Sequence, residues 1–98
     1  MFTVAPSVNR SAVEVNPKAV VNRTQIFHCP VSGIPAPRVV WMKNGKPIDL
    51  RGDIELRDGG RQLVIRSVSL DNAATYRCVA TNRAGQDSID FVFDVQGT

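Results

Sequence analysis

Arg51-Gly52-Asp53 places a guanidinium and a carboxylate on either side of a glycine. A carboxylate on an exposed, bending segment can complete the coordination shell of a receptor's metal ion, and a guanidinium can reach an acidic pocket beside it. Many matrix proteins offer this tripeptide to integrins. Other residues invite chemistry less strongly. His28 is the single histidine, so no Ser-His-Asp or Cys-His relay can be assembled around it with a free nucleophile. Asp49, Asp53, Glu55 and Asp58 lie close together, in the manner of a solvated face and its turns. Cys29 and Cys78 lack the paired spacing of a zinc site, and no glycine-rich phosphate loop opens a helix. No catalytic residue, metal site or cofactor is expected. Asn22-Arg23-Thr24 and Asn9-Arg10-Ser11 fit the N-glycosylation acceptor pattern.

The elements that position these residues read as strands. Val39-Val40-Trp41-Met42, Gln62-Leu63-Val64-Ile65, Tyr76-Arg77-Cys78-Val79 and Ile89 to Val95 are short β-branched or aromatic runs. Gly33-Ile34-Pro35-Ala36-Pro37, Asn44-Gly45, Asp58-Gly59-Gly60 and Asn82-Arg83-Ala84-Gly85 punctuate them. Asn-Gly tolerates the two positive φ angles of a type I′ turn, so Val39–Lys43 should form a hairpin with a short strand near Pro47-Ile48. Asp58-Gly59-Gly60 should join Asp53–Arg57 to Gln62–Ser67 in the same way. Gln25 breaks the alternation of Phe27 and Cys29; a bulge or an open sandwich end would explain it, with Ile26 facing outward.

The chain has 98 residues, 43% of them hydrophobic, and forms a single domain over residues 1–98. A core of that size benefits from a covalent staple, which Cys29 and Cys78 could supply, or they could remain reduced. The net charge is +3, and the twelve Lys and Arg are scattered. That distribution argues against nucleic acid and gives only weak support to a sulfated glycan such as heparan sulfate. No apolar run is long enough to insert in a membrane. Met1-Phe2-Thr3-Val4 lacks the features of a signal peptide, so Met1 reads as a start added to an excised piece of a longer multidomain parent.

Trp41 follows Cys29 by 12 residues, Cys78 follows it by 49, and Tyr76 precedes Cys78 by two. This spacing resembles the immunoglobulin superfamily. Val31 to Pro47, Leu63-Val64-Ile65-Arg66-Ser67-Val68 and Cys78 to Gly85 resemble the B-to-C′, E and F-to-G regions of its I-set. The C-terminal run Ala84 to Val95 is similar to repeats of hemicentin-like and other matrix or cell-adhesion proteins. The resemblance implies an all-β, two-sheet Greek-key sandwich with a Cys29–Cys78 disulfide packed on Trp41. It also implies a tyrosine corner at Tyr76 and Leu63 in the core. Two positions depart from the I-set pattern: Asn72 stands for its usual Asp, and Ala74 for its usual Gly.

The I-set frequently has an Arg near position 51 that reaches the acid of the tyrosine-corner turn. Here the matching partner would be Asn72, or Asp71 beside it. Held there, Arg51 would do a structural job; unheld, it would be freer for a ligand. The resemblance implies an extracellular protein–protein interaction module of adhesion, receptor or matrix proteins. The alternative is a spacer in a tandem array, including the cytoplasmic muscle type. Exposed Ile26, Val40 or Met42 would mark an interface.

Overall fold

The computed structural model describes residues 2–97. Ten strands form among them: β1 Val4–Val8, β2 Lys18–Val20, β3 Gln25–His28, β4 Val31–Ile34, β5 Arg38–Lys43, β6 Lys46–Pro47, β7 Ile54–Arg57, β8 Gln62–Ile65, β9 Ala74–Asn82 and β10 Gly85–Gln96. The only helical pieces among the described residues are single 3₁₀ turns at Arg10–Ala12, Asp58–Gly60 and Leu70–Asn72. One sheet has the order β2-β10-β9-β5-β6, another β3-β8-β7, and β1 pairs with β4. All pairings are antiparallel except β10 with β2. This is the two-sheet immunoglobulin-like sandwich that the resemblance implies.

Local chemistry explains the joints. Asn44 and Gly45 have φ of 51° and 83°, and Lys43 pairs with Lys46 across them. The hairpin is therefore the two-residue loop that Asn-Gly favours. The second strand of that hairpin is Lys46–Pro47, one residue earlier than expected. β3 and β4 are parted only by Cys29-Pro30. Pro30 has no N–H for a ladder, and its carbonyl accepts the Asn9 N–H at 2.8 Å. Gln25 needs no bulge: its strand keeps an unbroken register with β8 from Gln25↔Ile65 to His28↔Gln62. It lies half-buried on the inner side of the strand, and Ile26 is exposed.

The layers meet on an aromatic core. Phe27 lies 4.9 to 6.2 Å, ring centre to ring centre, from Tyr76, Phe93, Phe91 and Trp41. Leu63, Ile65, Val68, Ile89 and Val95 complete it, and Ala80 rather than Val79 faces inward on β9. The Cys29–Cys78 disulfide is formed, joining β9 to the residue after β3. Closing a loop of that length stabilises by about 4 kcal/mol in the chain-entropy picture. Trp41, fully buried, donates its indole N–H to the Gly60 carbonyl at 2.7 Å. The Tyr76 hydroxyl donates to the Asn72 carbonyl at 2.6 Å, the tyrosine corner expected of this fold. Burial drives the Tyr76 phenol up to about 12, because the ion would lose its water.

Candidate interaction surface

With the core sealed, the reactive and recognition chemistry lies outside. The outer side of β3-β8-β7 is charged. Glu55 pairs with Arg57 at 2.9 Å and also with Arg66. These side chains flank Val64, which pairs with Ile26 and Glu55 on its neighbours and is buried despite facing away from the core. His28 sits on the same side, exposed, with Gln62 Nε2 3.5 Å from its Nδ1. Among the described residues, no three of His, Cys, Asp or Glu gather to hold a metal.

The outer side of β5-β9-β10 differs. Its rows, read across the register, are Arg38–Thr81–Gln86, Val40–Val79–Ser88, Met42–Arg77–Asp90 and Thr75–Val92. Val40 is 46% exposed and Val92 54%. Arg38 and Asp94 are exposed toward opposite ends of this side, and its middle holds one charge pair: Arg77 Nε donates to Asp90 Oδ1 at 2.7 Å and a terminal nitrogen to Oδ2 at 3.1 Å. The guanidinium holds the Asp90 carboxyl below its ordinary value. Val40 and Met42 were legible as candidates from strand alternation. Val92 was overlooked, although Phe91 and Phe93 facing inward oblige it to face out.

The loop between β6 and β7 carries Arg51-Gly52-Asp53. All three residues are exposed, and Gly52 has φ +64° with open space where a Cβ would stand. Neither Asn72 nor Asp71 takes Arg51. Its Nε donates to Asp49 Oδ2 at 2.7 Å instead, two residues back in the same loop. Asn72 is already engaged: its side-chain oxygen accepts the Ser69 N–H at 2.7 Å and the Ser69 hydroxyl at 3.2 Å. The expected internal job of Arg51 is therefore absent. Arg51, Asp53, Ser67, Ser69 and Asn72 nonetheless share one shallow hollow.

Two further ties escaped sequence reasoning. Asp87 accepts the Val8 N–H at 2.8 Å and grips Arg10 with both oxygens, at 2.9 and 3.1 Å. Those bonds, led by Arg10, hold the Asp87 carboxyl well below the usual carboxylate range. Asn82 donates to the carbonyls of Val4 at 2.8 Å and Pro35 at 3.0 Å, drawing three segments to one end of the sandwich. Contacts so distant along the chain leave no local pattern. Asn22, in the turn before β3, is exposed with φ of 73°. Asn9 is exposed as well, its Oδ1 accepting the Ser11 hydroxyl at 2.8 Å.

The disulfide, the Trp41 and Tyr76 bonds and the sheet order define an immunoglobulin-like domain with an outer surface free for contact. The chain belongs to the immunoglobulin I-set family, whose model matches residues 10–95. It is 38% identical over 88 residues to hemicentin-1 of Mus musculus, covering 89% of this chain and 2% of that one. It is 31% identical to neural cell adhesion molecule 1-A of Xenopus laevis, covering 88% of this chain and 8% of that one. The chain thus spans a small fraction of these relatives' length. Among solved structures it resembles the titin M3 domain at a TM-score of 0.84 and 31% identity, covering 95% of this chain and 98% of that one. Relatives thus include adhesion proteins and titin-type repeats. No described helix is long and apolar enough to cross a membrane.

Proposed function

We propose that the chain is a non-catalytic extracellular interaction module of an adhesion or matrix protein, and that its partner is a second copy of itself. The observation that carries the reading is the middle of the outer side of β5-β9-β10, where Val40, Met42, Val79 and Val92 surround the Arg77–Asp90 pair. Arg77 and Asp90 are register partners on adjacent strands. A two-fold axis parallel to the strands, midway between β9 and β10, sets each Arg77 against Asp90 of the second copy. The same axis sets Val92 against Thr75 and Val79 against Ser88. The face is thus complementary to itself in charge, as an isologous dimer requires.

The extracellular setting is supported by the disulfide and by two exposed acceptor asparagines, Asn22 and Asn9, which we assign N-glycans. Secretion from a eukaryotic host followed by amidase release should show a mass shift, removed by Asn22→Gln and Asn9→Gln together. A sulfated-glycan partner has less support. Arg10, Arg51, Arg57, Arg66 and Arg77 are each held by a carboxylate, which leaves no concentrated basic stripe among them.

The second reading is a spacer in a tandem array, favoured by the small share of each relative that the chain spans. Sedimentation equilibrium separates the two. The adhesion reading expects a concentration-dependent dimer, weakened at least about tenfold by Val92→Asp, which would bury an unpaired carboxylate at the interface. A strict monomer at the highest attainable concentration favours the spacer.

A further inference from the structure

The Ile48–Asp53 loop holds chemistry that neither the fold nor the self-association uses. The Asp53 backbone is anchored, its carbonyl accepting the Arg66 N–H at 2.8 Å. The Asp53 carboxylate has no hydrogen-bond or ion-pair partner among the described residues. Two residues away, the Arg51 side chain is 86% exposed and is held only by Asp49. Gly52, in the left-handed region and clear of neighbours, bends the chain between them so that both side chains stand at an exposed turn. A carboxylate with unspent oxygens suits a hard divalent cation that keeps an open position. A guanidinium suits an acidic pocket, which it can grip through two donors.

We propose that Arg51-Gly52-Asp53 is a binding site for an integrin-type receptor, with Asp53 completing the shell of the receptor's divalent cation and Arg51 entering its acidic pocket. Asp49 is the built-in competitor. To engage the receptor, Arg51 exchanges the Asp49 carboxylate for one on the receptor, so the loop sets its own affinity. The site lies on the β6–β7 connection, apart from the β5-β9-β10 face, and stands or falls separately from self-association. Asn72 has the opposite role here. By spending its side chain on Ser69, it leaves Arg51 unclaimed by the tyrosine-corner turn.

The test immobilises a purified Arg-Gly-Asp-dependent integrin ectodomain, its activity verified by capture of a linear Arg-Gly-Asp peptide. The 98-residue chain is then passed over it in Mn²⁺. Capture is expected, abolished by EDTA and competed by the linear peptide. Asp53→Glu, whose carboxylate stands one methylene too far out, should weaken capture by about tenfold or more. Asp49→Ala should tighten it, by up to about fivefold, the range set by an exposed ion pair. Matching melting temperatures show that each variant folds. Failure to capture the chain while the peptide is captured would overturn the site, as would equal capture of Asp53→Glu. Unchanged affinity of Asp49→Ala would overturn the competitor role.

Discussion

The tyrosine-corner turn and the Ile48–Asp53 loop line the same hollow, yet they treat their polar groups in opposite ways. In the turn, the Ser69 N–H and hydroxyl, the Asn72 side chain and carbonyl, and the Tyr76 hydroxyl all bond to one another. In the loop, Asp53 keeps an unspent carboxylate, and Arg51 finds only a local partner in an exposed pair. Groups that bond to one another within the fold make structure; exposed, unspent groups make none and stay available to a partner. The same contrast separates the disulfide and Trp41 from the valines of the outer β5-β9-β10 face.

Removing the staple tests the structural side hardest. Cys29→Ala with Cys78→Ala should cost about 2–5 kcal/mol, read from the urea midpoint under matched conditions. Next comes the turn itself. Tyr76→Phe leaves the Asn72 carbonyl without its donor and should cost about 1 kcal/mol. Tyr76 is the sole tyrosine, so ultraviolet titration reads it directly. The unfolded phenol ionises near 10 and the folded one near 12. The fold's preference for the neutral phenol is complete below 10 and drains away as pH rises from 10 to 12. Wild type should therefore lose stability over that window, and Tyr76→Phe should lose less of it.

Asp87 gives a pH dependence of the opposite sign. Its folded value lies below the ordinary 3.8, so its contribution is present above that value. It is lost as pH falls below 3.8 toward the folded value. Asp87→Asn should cost about 1 kcal/mol at neutral pH and flatten the acid limb of a stability profile. The smallest effect belongs to the loop. Arg51→Ala should melt at the wild-type temperature, because nothing in the sandwich depends on the guanidinium; a clear drop would move Arg51 to the structural side of the comparison.

The division between legible and hidden features follows the same line. The Cys29, Trp41, Tyr76 and Cys78 spacing and the period-two runs announced the sandwich, because burial imposes alternation on every strand. Asn44-Gly45 announced its turn, because few residues accept both positive φ angles. The fate of Arg51 was hidden, since it turned on which of Ser69 and Arg51 won the Asn72 side chain, and a local partner did. Asp49, two residues from Arg51, was in plain view as a rival. The Arg10–Asp87 tie was not, because only the folded chain brings those residues together. Val92 was readable from Phe91 and Phe93, yet a run that supplies core residues draws attention away from its outer positions.

Self-recognition through β5-β9-β10 is best tested by a charge exchange. The double variant Arg77→Asp with Asp90→Arg keeps the ion pair within each chain. It also keeps it between two identical copies, but it sets like charges together when mixed with wild type. Sedimentation equilibrium of wild type, exchanged variant and their mixture, with one species carrying a dye, decides the matter. Dimers of each pure species, with mixed dimers at least about tenfold weaker, are the predicted result. Mixed dimers as abundant as the pure ones, or no dimer of either, would contradict it.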